Sequence, residues 1–174
     1  HKTGYPIIQS RNVERGVIDL DKKIKFMSEE DWELYKDKYK PNVGDVFFSN
    51  IGTIGKTAVV TEDIDYLIHW NIFMFKVNKD ILDSFFLKYF LDYATTAGHF
   101  KKQQKGGTVS FVTKKMISKT PINLPPLETQ RIIVARLDEL SAETEELEAV
   151  YEKKIAAVDE LKKSLLQRAF AGEL

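Results

Sequence analysis

Residues 128–170 contain neither proline nor glycine and are rich in Glu, Leu, Lys and Ala. All four are strong helix formers. Within this stretch Leu137, Leu140, Leu147, Tyr151, Ile155, Val158, Leu161 and Leu165 recur in steps of three and four, with Thr144 in the one gap. That spacing lines a single face of one helix. Two consecutive fours at Leu147, Tyr151 and Ile155 form a stutter, which locally relaxes a left-handed supercoil. Two threes at Ile155, Val158 and Leu161 then restore the register. Pro125 and Pro126 stand before the stretch and Gly172 after it, the asymmetry that helix ends prefer. At 1.5 Å per residue the helix is roughly 60 Å long. A globular domain built from the rest of the chain cannot cover so long a stripe, so another helix must.

The 174 residues leave room for one domain besides this helix. No apolar run is long enough to span a bilayer, and no signal-peptide pattern is present. The chain has no cysteine, which removes disulfides and thiolate chemistry and fits a cytoplasmic location. The zero net charge hides an asymmetry. Residues 126–174 hold seven basic and eleven acidic side chains, a net of −4, and residues 1–125 hold 19 and 15, a net of +4. A mildly basic domain joined to an acidic helix points to two surfaces with different partners, although ordinary surface charge reads the same way.

Residues 5–9 read as a strand. Residues 17–20 and 24–26 read as short strands around an Asp-Lys-Lys turn. Ser28 with Asp31 resembles a capping box that opens a helix over residues 29–39. Residues 46–49 and 57–60 read as paired strands, and residues 67–77 as the longest strand. Ile81, Phe85, Tyr89 and Tyr93 have helical spacing, with Leu82, Phe86 and Phe90 beside them. Residues 101–107 form a polar loop, and residues 109–112 and 122–124 read as short strands. Strands and helices interleave irregularly, so the expected class is α+β: a small mixed-sheet domain over residues 1–125, then the long helix over 126–174.

Three stretches carry residue types suited to chemistry. Asn50-Ile51-Gly52-Thr53-Ile54-Gly55-Lys56-Thr57 is one glycine short of a phosphate-binding P-loop and leads into a strand instead of a helix. It reads better as a hairpin loop whose glycines supply unusual backbone angles, with Asn50, Thr53 and Lys56 at its tip. The loop at Lys101, Lys102, Gln103, Gln104, Lys105, Thr108 and Ser110 combines cations with amides and hydroxyls, a set suited to phosphate contact and base reading, or simply to a solvated surface. Phe85, Phe86, Phe90, Tyr93, Phe100 and Phe111 fit core packing better than a base-stacking platform. His1, His69 and His99 are scattered, no metal-ligand spacing occurs, and neither a nucleophile elbow nor a dinucleotide fingerprint is present. Leu124-Pro125-Pro126-Leu127 lacks the flanking residues of the Pro-Pro motif of amino-group DNA methyltransferases and reads as a stop before the helix.

Val43-Gly44-Asp45-Val46-Phe47-Phe48-Ser49 followed by Gly52-Thr53-Ile54-Gly55-Lys56 resembles the central motif of the specificity subunits of type I restriction–modification systems. Gly106-Gly107-Thr108, the run from Ile122 to Ile133 and the run from Leu165 to Leu174 are similar to the end of their target recognition domain and to the two ends of their conserved helix. The resemblance implies a non-catalytic subunit without a cofactor or metal of its own. Its domain would read half of a bipartite site on double-stranded DNA. Its helix would pair antiparallel as a coiled coil and dock the modification subunit, which methylates adenine, while a restriction subunit cleaves. A full specificity subunit has two such domains and two helical regions, so one of each implies a natural half-subunit or a piece of a longer chain. On this reading Arg11, Asn12, Asn50, Thr53, Lys56 and the seven polar residues of the 101–110 loop lie near DNA, and the stripe from Leu137 to Leu165 carries a homodimer. An adaptor with an oligomerisation helix and a nucleotide-binding enzyme are the readings from other classes.

Overall fold

The computed structural model describes residues 3–100 and 111–173. The chain divides into two compact units, His1–Arg131 and Ile132–Leu174.

The first unit is built around β5 (Val46–Ser49), whose four residues are all buried. Successive side chains on a strand point to opposite faces. Val46 and Phe48 therefore enter one core cluster with Leu87, Leu91, Phe100 and Val112, while Phe47 enters another with Ile8, Val13, Tyr66 and Ile72. Phe48 meets Phe100 edge-on at 5.4 Å between ring centres, and Phe47 meets Tyr66 likewise at 6.3 Å. β5 pairs antiparallel with β6 (Thr57–Val59) and with β8 (Ile72–Phe75), giving a three-stranded sheet in the order β6-β5-β8. A second sheet sets β1 (Tyr5–Ile8) between an antiparallel β4 (Lys25–Met27) and a parallel β7 (Leu67–Ile68). β2 (Val13–Glu14) and β3 (Val17–Ile18) form a two-stranded ribbon.

Helix α1 (Glu29–Tyr39) has the expected bounds, and Ser28 caps it by accepting a hydrogen bond from the Asp31 amide at 3.1 Å. The expected pairing of β5 with β6 also holds. Other expectations need correction. Residues 17–20 and 24–26 do not pair with each other: β3 turns back on β2, and β4 crosses to β1. The long strand over 67–77 is two strands in different sheets, broken at His69, Trp70 and Asn71. Helix α2 (Ser84–Thr96) starts later than its apolar pattern suggested, because the Asp83 carboxylate accepts from the amides of Phe85 and Phe86 and so caps it. Its buried face is Ser84, Leu87, Leu91 and Ala94, whereas Phe85 and Tyr93 are exposed. Residues 122–124 are not a strand, and the five-residue α3 (Lys114–Ser118) precedes them.

Helix α4 (Leu127–Ala171) is 45 residues long, roughly 67 Å at the standard rise. Its first turn belongs to the globular unit. Gln130 there is fully buried, its side-chain oxygen accepts from the Asp83 amide at 2.9 Å, and its side-chain nitrogen donates to the carbonyls of Ile81 at 2.9 Å and Pro125 at 2.8 Å. In the second unit every described residue from 141 onward is exposed. Seven stripe residues, from Leu140 to Leu165, expose between 43% and 64% of their surface, and Leu137 is half-buried. Among the described residues no helix is long and apolar enough to cross a membrane.

Candidate nucleic-acid interface

Three connecting segments of the first unit are tied together at Asn50. Its amide donates to the Asn71 carbonyl at 3.1 Å, and its carbonyl accepts from the Val112 amide at 2.8 Å. Ile51 and Phe111 bridge next to it. Asn71 extends the network, its side-chain nitrogen donating to the Ser10 hydroxyl at 2.9 Å and its side-chain oxygen lying 3.0 Å from His69 Nδ1. The turn Ser10–Asn12, the turn at His69–Asn71 and the loop after β5 are thereby fastened to one another by backbone and amide hydrogen bonds.

The β5–β6 loop folds back on its own base. The Ser49 hydroxyl donates to the Thr53 carbonyl at 2.6 Å and accepts from the Lys56 amide at 2.8 Å. Gly55 takes φ of +90°, and a Cβ there would lie 2.2 Å from the Thr95 side chain, so both conformation and space require glycine. The result is a glycine-bent hairpin loop leading into β6, with no helix N-terminus for a phosphate to meet.

The structure separates the candidates named from sequence. Arg11 and Thr53 are exposed and Lys56 is half-buried, so all three can reach a ligand. Arg11 is held by its guanidinium donating to the Gln9 side-chain oxygen, at 2.8 Å from Nε. Asn12 is fully buried: its side-chain oxygen accepts from the Gln9 amide and its nitrogen donates to the Asp19 carbonyl. It holds the turn that presents Arg11 and does not itself face solvent. Asn50, expected at the loop tip, lies beneath the loop with 5% of its surface exposed. Its side-chain oxygen is buried without a hydrogen-bond partner among the described residues. Leaving a buried acceptor unsatisfied costs about 1–3 kcal/mol. Lys101, Lys102, Gln103, Gln104, Lys105, Thr108 and Ser110 lie outside the described residues.

The family model of the type I restriction modification DNA specificity domain matches residues 1–157. The chain belongs to that family.

Its relatives agree. The chain is 27% identical to the type I restriction enzyme EcoBI specificity subunit of Escherichia coli, a match covering 99% of this chain and 36% of that protein. It is 25% identical to the EcoKI specificity subunit of Escherichia coli K12, over 98% of this chain and 38% of that one. Among solved structures, a chain from work on complex assembly and conformational transition of the type I R-M system matches with a TM-score of 0.67 at 24% identity, covering 99% of this chain and 40% of that chain. The HsdS subunit from Thermoanaerobacter tengcongensis matches with a TM-score of 0.63 at 22% identity, covering 83% and 37%. These structural likenesses bear on the fold, which is the specificity-domain fold with its long helix. The chain spans well under half the length of each of these relatives.

An exposed aromatic that the sequence reading did not single out is Trp70. It sits on the turn between β7 and β8, 69% exposed, with its ring 5.1 Å from that of His69. Phe111, across the Asn50 junction, is 57% exposed. An exposed tryptophan on a turn tied to Asn50 can pack against a sugar or a base face, as aromatic side chains do in nucleic-acid sites. The signal was present: His-Trp-Asn interrupts an otherwise apolar, β-branched run. Among the described residues no cluster of three or more metal-ligating side chains occurs.

Proposed function

We propose that this chain is the DNA-reading part of a type I restriction–modification complex. Residues 1–125 read one half of a bipartite site on duplex DNA, and residues 126–174 assemble the complex. Helix α4 pairs antiparallel with that of a second copy as a coiled coil and docks the modification subunit. The modification subunit methylates adenine and a restriction subunit cleaves, so this chain supplies neither catalytic groups nor a cofactor. It acts in the cytoplasm, where its DNA substrate is. The observation that carries the reading is the coincidence of the family match with the junction at Asn50, which brings the Arg11 turn, the Thr53–Lys56 loop and Trp70 onto connecting segments of one unit. Arg11, Lys56 and the lysines at 101, 102 and 105 supply phosphate contacts. Thr53, Gln103, Gln104, Thr108, Ser110 and Trp70 supply contacts to bases or sugars. The adaptor reading loses its support, because the relatives are specificity subunits over nearly the whole of this chain.

The test is DNA binding by this chain with a modification subunit, titrated with salt. Changing Lys101, Lys102 and Lys105 to Ala should weaken binding to all sequences alike and lower the salt slope by about 0.9 per lost phosphate contact. Changing Gln103 or Gln104 should alter which bases are preferred, by about 1–3 kcal/mol per bidentate contact. A salt slope that the triple lysine change left untouched would take that loop off the phosphates.

A further inference from the structure

The apolar stripe of α4 is close to a palindrome about Tyr151. Leu147 and Ile155 lie four residues to either side, Thr144 and Val158 seven, and Leu137 and Leu165 fourteen, while Leu140 and Leu161 lie eleven and ten away. The one double step of four falls on the centre. Charge along the helix is segregated about nearly the same point. Residues 138–152 hold seven carboxylates and no basic side chain, whereas residues 153–168 hold five basic side chains and two carboxylates.

A parallel pair of such helices would set seven carboxylates against seven. An antiparallel pair sets the acidic half of each copy against the basic half of the other. The level of the axis is chosen by the stripe and the charges together. With the axis at Tyr151, Glu139 lies level with Lys163 and Glu148 with Lys154, against one like-charged pair, Glu143 with Asp159. Moving the axis to Ala149 puts Arg136 level with Lys162 and Asp138 level with Glu160. Moving it the other way, until Leu137 meets Arg168, still sets Leu140 against Leu165 and Leu147 against Val158, but puts Tyr151 level with Lys154. It also sets two like-charged pairs, Glu145 with Glu160 and Glu146 with Asp159, against two opposite ones, Glu143 with Lys162 and Glu152 with Lys153. Opposite charges flanking an apolar seam choose partner orientation and register, and like charges reject the alternatives.

We infer that the two-fold axis of a self-paired α4 passes at Tyr151, with Leu147 of each copy against Ile155 of the other and Leu137 against Leu165. The inference rests on the self-pairing proposed above and adds its register. The apolar stripe residues from Leu140 to Leu165 are exposed in the single chain, so their surface is available to a second copy.

The chain has no cysteine, so each introduced one is the only thiol. Disulfides do not form between Cα atoms more than about 7 Å apart. Under mild oxidation Tyr151→Cys should give a covalent dimer. Leu147→Cys and Ile155→Cys should each remain uncoupled alone, because eight residues of helix rise, roughly 12 Å, separate each from its own copy. Mixed together they should couple. Self-coupling at Leu147→Cys or Ile155→Cys would overturn the register, and so would a mixture that fails to couple. Light scattering of the unoxidised samples separates the two levels. A dimer with the wrong cross-links defeats the axis alone, and a monomer defeats the self-pairing and the axis with it.

Discussion

The two units of this chain handle apolar side chains in opposite ways. In the globular unit each inward residue of β5 finds a partner within the same chain, Phe47 against Tyr66 and Phe48 against Phe100. In α4 a stripe of the same chemical character stays largely exposed. Apolar content alone does not separate the two cases, since both carry recurring large apolar side chains. The difference is geometric: a sheet with helices on it closes a core on itself, whereas a single long helix has no second layer. Sequence that specifies such a helix therefore leaves an apolar stripe that the helix cannot cover by itself.

The largest effect that could break this contrast is in the seam. Leu147→Glu with Val158→Glu would bury a charge at each position of the proposed pair, at a cost on the order of several kcal/mol per charge. Light scattering should show dissociation, while the thermal transition of the globular unit stays where it was. Next comes Gln130→Ala, which orphans the Asp83 amide and the carbonyls of Ile81 and Pro125, at about 1–3 kcal/mol for each group that water cannot reach. Denaturant unfolding should register this loss in the globular unit. The smallest effect separates two glycines of one loop. Gly55→Ala meets both an unfavourable φ and the Thr95 side chain, and should cost about 1–3 kcal/mol. Gly52 has φ of +78°, and a methyl group added there would meet nothing within 4 Å, so Gly52→Ala should cost only the backbone penalty, roughly 1–2 kcal/mol. Equal losses at the two sites, by the same unfolding measurement, would show that the contact with Thr95 costs nothing.

Much of the fold was legible where local chemistry decides it. Ser28 caps α1 and the proline pair precedes α4, both as their residue types require. The β5–β6 pairing followed from two β-branched and aromatic runs around a glycine loop. What was not legible depends on distant partners. Residues 67–77 read as one strand because no glycine or proline marks the break. The break at His69–Asn71 is set by Ile8 accepting from the His69 amide and by Asn71 reaching Ser10. The candidate site divides in the same way. Arg11, Thr53 and Lys56 read as charged or hydroxyl groups on turns, and in the structure they are exposed or half-buried there. Asn12 and Asn50 were misplaced because an asparagine in a turn serves the backbone as readily as a ligand. The exposure of Trp70 was not legible because the residue lies inside an apparent strand.

The proposed function joins two statements: one domain reads DNA, and α4 holds two copies together. Two identical domains related by a two-fold axis read the same short sequence on opposite strands, so the recognised site mirrors the protein symmetry. Methylome sequencing of cells that express this chain with a modification subunit tests both at once. Methylated adenines should fall in an interrupted palindrome, with an unread gap set by the paired helices. Methylation at two unrelated half-sites, or none at all, would contradict the proposal.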